Sequence, residues 1–143
     1  KKALFLRVLD HYVCTISAVR FAKLVEMPDG RQAICETFRH VMRTGLGEGR
    51  NKGCLIVNSG MELAPHDAET AAIARQSFKR TELMFVAALK RAQAQKTIAN
   101  DKNIRALARF LAGSIQGLQL MARRAADEDT MTDFVDMVLS TLD

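Results

Sequence analysis

Three cysteines, three histidines and 16 carboxylates are the side chains here with reactive potential, and their spacing limits what they can do. Cys54 has the most suggestive surroundings, since it follows Arg50, Lys52 and Gly53 at the expected start of a helix. Positive charge and free backbone amides increase the thiolate fraction, the form that meets oxidants and electrophiles. Cys54 is therefore a candidate redox or electrophile sensor, weighed against the commoner use of cysteine as a small buried apolar residue. Cys14 and Cys35 lie among apolar neighbours and are read as inert. An odd number of cysteines with no CxxC pair suggests neither a disulfide framework nor a zinc site. His11, His40 and His66 are far apart, and none belongs to a metal-ligand spacing such as HExxH. Glu36 and His40, four residues apart, could form half of a metal pair, but a surface ion pair is the simpler reading. GxSxG, P-loop and GxGxxG patterns are absent. No catalytic constellation, metal site or cofactor is expected, and the chain does not read as an enzyme.

The elements that would position these residues are helical throughout. Leu4, Phe5, Val8, Leu9, Tyr12 and Ile16 recur at steps of three and four, predicting a helix over about 2–24 that Pro28 ends. Asp29 with Gln32 resembles a capping box before a second helix bearing Ile34, Phe38, Val41 and Met42; Gly45, Gly47 and Gly49 should stop it. A short third helix is expected over about 54–64, before Pro65. Asp67 can cap a long fourth through Ile73, Phe78, Thr81, Phe85, Ala88 and Ala92. Asp101 is the expected cap of a fifth over about 102–126, and Asp127, Glu128 and Asp129 suit the N-terminus of a sixth over about 130–142. No segment alternates with period two. The fold class is all-α, about six helices in an orthogonal or bundle arrangement.

At 143 residues and 48% apolar content the chain fits one domain over 1–143 with a single core. The longest apolar run, Leu83–Leu89, is far below the ~20 residues a membrane span needs, and no signal segment opens the chain, so a cytoplasmic protein is expected. Of the net charge of +5, the excess lies in residues 1–60, with ten Lys/Arg against five Asp/Glu; an ordinary solvated face is the preferred explanation.

The apolar residues of the fifth helix spread over roughly 160°, wider than one core-facing stripe requires. Gly113 and Gly117 would admit a close neighbour. Together with a similarly broad sixth helix, this suggests a two-fold four-helix interface between copies, built from Leu111, Gly113, Gly117, Leu118, Met121, Phe134, Val135, Val138 and Leu142. The competing reading is a central helix covered on all sides within one protomer.

Lys1-Lys2-Ala3-Leu4-Phe5, the run Gly53-Cys54-Leu55-Ile56-Val57-Asn58-Ser59, then Glu62-Leu63-Ala64-Pro65-His66-Asp67, Arg109-Phe110-Leu111 and Gln116-Gly117-Leu118 together resemble the C-terminal regulatory domain of the TetR/AcrR family of transcription regulators. The resemblance spans essentially the whole chain and implies a homodimer joined through the last two helices, a small-molecule pocket among the others, and a repressor. It also implies that operator DNA is reached only through an N-terminal helix-turn-helix head, which these residues do not include. Geometry suggests the pocket lining: Tyr12, Ile16, Phe38, Met42, Asn58, Met61, Phe78, Thr81, Phe85, Phe110 and Ser114, around a small hydrophobic or aromatic effector. The alternative is a ligand-free dimerisation module, or the Cys54 thiol switch.

Overall fold

In the computed structural model, which describes residues 1–143, no strand interrupts a succession of seven α-helices and one π-helical turn. They are α1 Lys2–Tyr12, the π turn Val13–Ser17, α2 Ala18–Glu26, α3 Gly30–Leu46, α4 Leu55–Glu62, α5 Ala68–Ala94, α6 Ile104–Arg123 and α7 Glu128–Ser140. The backbone stays helical from α1 through the π turn into α2, so the chain forms the six rods expected.

Polar caps set most of the boundaries. Asp29, Asp67 and Asp127 accept hydrogen bonds from the amides of Gln32, Thr70 and Thr130, each at 2.8 Å. Such caps contribute about 1 kcal/mol each. Asp101 is not the cap of α6. It lies in the preceding turn, and Asn103 accepts from Ala106 N at 3.1 Å instead. Gly45 does not stop α3 either. It lies within the helix, where an added Cβ would stand 2.7 Å from Ala122 Cβ, so it seats α3 against α6. The stop comes after it, where Gly47 N and Gly49 N bond the carbonyls of Arg43 and Thr44.

The π turn corrects the first apolar stripe. One extra residue in the turn rotates everything after it, so Ser17, Phe21 and Leu24 face inward while Ile16 is 51% exposed. Leu4 and Val8 also face solvent; Leu9 carries the packing of α1.

Two cores result. The larger holds 20 buried residues drawn mainly from α2, α3, α5, α6 and α7, with Phe38 and Phe85 at its centre, their rings 6.0 Å apart. The smaller holds Leu9, Cys54, Ile56, Val57 and Ala74, with Phe5, Tyr12 and Phe78 packed on it, and attaches α1 to α4 and α5. Lys2 reinforces this attachment by pairing with Asp67 and Glu69 at 2.7 Å. These hydrogen bonds raise Lys2 to about 12 and bring Asp67 down to about 2. α6 packs against α3, α4, α5 and α7, which accounts for its wide apolar arc within one protomer. No helix is long and apolar enough to cross a membrane.

Candidate ligand-binding site

A cavity of about 440 Å³ opens between α4, α5 and α6. Each helix lines it with residues one turn apart: Val57, Gly60, Met61 and Ala64 from the α4 side, Ala71, Ala74, Arg75 and Phe78 from α5, Gln116, Gly117 and Leu120 from α6. The space exists because small residues face one another; even a Cβ on Gly60 would already contact Ala74 Cβ at 3.5 Å. Its size, apolar walls and few polar groups are those of a small-molecule site. Gln116 and the exposed Arg75, which makes no ion pair within the chain, are the polar groups.

Behind the wall formed by Val57, Phe78 and Gln116 lies a second, polar constellation. Eight residues apart in an α-helix, Tyr12 and Arg20 would stand about 80° apart around the axis; the residue absorbed by the π turn reduces this to about 20°. Arg20 Nη2 therefore donates to Tyr12 Oη at 3.2 Å, and Nη1 to Cys54 Sγ at 3.6 Å, while Tyr12 Oη donates to the same sulfur at 3.8 Å. Burial, then Cys54, push the Tyr12 phenol above its ordinary pKa. Cys54 reaches this place because Gly53 adopts φ +67 against α6, where a side chain would meet Arg123 Cβ and the Gln119 carbonyl.

The expected lining divides. Met61 and Phe78 line the cavity, and Thr81 lines two smaller voids while donating to Ser77 O at 3.2 Å. Phe38 and Phe85 are sealed in the main core, and Met42 packs beside them with its sulfur accepting from Thr132 Oγ1. Asn58 is turned to the Lys52 carbonyl, Ser114 donates to Phe110 O on its own helix, and Ile16 and Phe110 face solvent. Arg20, Arg75, Gln116 and Gln119 were not expected from the sequence. The legible signal was the run of small residues Gly60, Ala64, Ala71 and Ala74, which leaves space unfilled.

Among the expected interface residues, Leu111, Leu118, Val135, Val138 and Leu142 are at most 2% exposed within the protomer, so they serve its own core. Gly113 is exposed with nothing within 4 Å of its Cβ position, and Gly117, Met121 and Phe134 are half-buried. Phe110 and Met137, 47% and 72% exposed, extend the same α6–α7 face. Glu36 and His40 do not pair: Glu36 is held by Lys23 at 3.1 Å and Arg39 at 3.3 Å. Cys14, read as inert among apolar neighbours, is exposed, whereas Cys54 is 4% exposed.

Residues 30–138 of this all-helical chain fit the tetracyclin repressor-like, C-terminal domain family. The chain belongs to this family. It is 34% identical over 144 residues to the uncharacterized HTH-type transcriptional regulator YezE of Bacillus subtilis (strain 168), covering 100% of this chain and 74% of that protein. Identity to the HTH-type transcriptional repressor ComR of Escherichia coli (strain K12) is 25% over 140 residues, covering 97% of this chain and 67% of ComR. A solved structure of a cysteine mutant of the TetR family transcriptional regulator CifR, complexed with double-strand operator DNA, shares the fold: TM-score 0.86 at 21% identity, covering 99% of this chain and 74% of that one. The tetracyclin repressor-like domain described here is thus a domain of a transcriptional regulator.

Proposed function

We propose that this domain senses a small, predominantly apolar or aromatic effector and dimerises, thereby controlling operator binding by the full-length regulator, most simply as a repressor. The single observation that carries the reading is a shared wall. Val57, Ala74 and Phe78 line the 440 Å³ cavity and also form or flank the small core that holds α1. A ligand pressing on these residues acts on α1, and through α1 on a helix-turn-helix head joined at its N-terminal end. Coupling requires only that the effector bind one position of α1 better than another. Dimerisation is proposed through the outer α6–α7 face of Phe110, Gly113, Gly117, Phe134 and Met137, an interface on the order of 800 Å² per partner. The test is a thermal-shift screen of small apolar compounds: a hit should stabilise the fold by about 2.7 kcal/mol at a hundred times its Kd. Absence of any stabilising compound across a broad screen would contradict the sensing role.

A second reading rests on Cys54, whose sulfur receives both Arg20 and Tyr12. Under it, mild peroxide or an electrophile modifies Cys54 before the exposed Cys14, and Cys54→Ser loses the response while keeping the fold. The burial of Cys54 favours the ligand reading, under which Cys14 is labelled first and Cys54→Ser responds normally.

A further inference from the structure

We infer that Arg20 is the docking point for the carboxylate head of a small organic acid, which names the chemical class of the effector and rests on the sensing role proposed above. Arg20 lacks a counter-ion. Arg20 is half-buried, yet it belongs to none of the chain's carboxylate ion pairs, and its two hydrogen bonds go to Tyr12 Oη and Cys54 Sγ. Glu36, the acid on this side of the protein, is shared by Lys23, Arg39 and Arg43 and does not reach Arg20. A guanidinium has about five N–H donors in a planar fork suited to a carboxylate, so most of its capacity is open. Charges withdrawn from water are paired in folded proteins, and an external anion is the partner this one lacks.

The surroundings are built to receive it. Gln119 is 6% exposed and its side chain forms none of the chain's hydrogen bonds; the same holds for Ser17, 9% exposed. Gln119 lines two small voids, of about 30 Å³ beside Arg20 and about 20 Å³ beside Cys54, and Ser17 lines the second. The void beside Arg20 has room for about two water-sized atoms, at roughly 10–15 Å³ each, as many as the oxygens of a carboxylate. The void beside Cys54 is divided from the 440 Å³ cavity only by Val57, Phe78 and Gln116, so the apolar remainder of an acid enters the cavity once the Phe78 and Gln116 side chains turn aside. The head then lies against Arg20, whose guanidinium also holds Tyr12 Oη, while the body touches α4 and α5.

The chain contains one tyrosine, Tyr12, and no tryptophan, so its intrinsic emission reports this cluster with no label. The experiment titrates the wild-type protein with butyrate, hexanoate and benzoate, and with butyramide, hexanamide and benzamide, at constant ionic strength, following Tyr12 emission and Tm. The expected result is that at least one acid changes the emission and raises Tm with the same midpoint, while its amide, of equal shape but without charge, binds at least about tenfold more weakly. Arg20→Gln should lose the acid response by a similar factor; if that variant does not fold, the acid–amide contrast decides alone. Acid and amide acting equally would overturn the anion site and leave the apolar cavity reading intact. Silence from both series also overturns the inference, while the wider screen of neutral compounds decides the sensing role separately.

Discussion

Replacing Leu9 with alanine tests how firmly α1 is attached to the cavity wall. Leu9 is 1% exposed and is the only buried residue that α1 contributes to either core. The substitution removes three methyl or methylene groups, about 2.4 kcal/mol at ~0.8 kcal/mol each, with a further term for the space left behind. Leucine-to-alanine changes in cores cost roughly 2–5 kcal/mol. The site adjoins an open cavity and a cluster of five rather than twenty buried residues, so it can partly relax, and about 3 kcal/mol is expected. Urea unfolding followed by far-ultraviolet circular dichroism measures the loss, and hydrogen exchange locates it. The α1 amides should become the fastest-exchanging helical amides, whereas those of α6, surrounded by four helices, should remain the slowest. A loss below about 1 kcal/mol, or α1 amides as protected as those of α6, would refute the attachment of α1 through Leu9.

Gly30→Ala should cost about 1–3 kcal/mol or more by overpacking, because the new Cβ would stand 2.2 Å from Ala88 O and 2.6 Å from Ala92 N; the midpoint of thermal unfolding checks this. Gly117→Leu should weaken self-association, bringing light scattering from near twice the 15.9 kDa chain mass toward that mass at micromolar concentration. Burial, then Lys23, Arg43 and Arg20, depress the pKa of His40 below the ordinary histidine value. The unfolded chain therefore takes up this proton first, so stability should fall as pH drops through the ordinary histidine range; His40→Gln should flatten that part of a Tm-against-pH curve.

Periodicity and capping chemistry were strong enough to place all six rods, because Asp29, Asp67 and Asp127 sit at their helix starts and nothing competes with them. The π turn was not legible. Val13–Ser17 carries no proline or glycine, and the turn lies between Leu9, which belongs to the small core, and Phe21, which belongs to the large one, a pairing no local pattern signals. That one residue moved Ile16 out of the site and Arg20 into it. The cavity was misread for a different reason. Large apolar residues such as Phe38 and Phe85 fill a core, whereas a cavity appears where Gly60, Ala71 and Ala74 fail to fill one. The broad arc of α6 was ambiguous between core and interface because both bury apolar surface, and most of it went to α3, α5 and α7.

The most direct test of effector sensing uses Phe78, which belongs both to the cavity and to the wall that holds α1. Phe78→Trp introduces the sole tryptophan of the chain at that point. Titrating this variant with a compound that raises Tm in the wild type should shift tryptophan emission with the same midpoint. Hydrogen exchange at saturation should show altered protection in α1. A compound that stabilises the protein yet leaves both the emission and α1 unchanged would contradict the proposal that the cavity beside Phe78 controls the regulator.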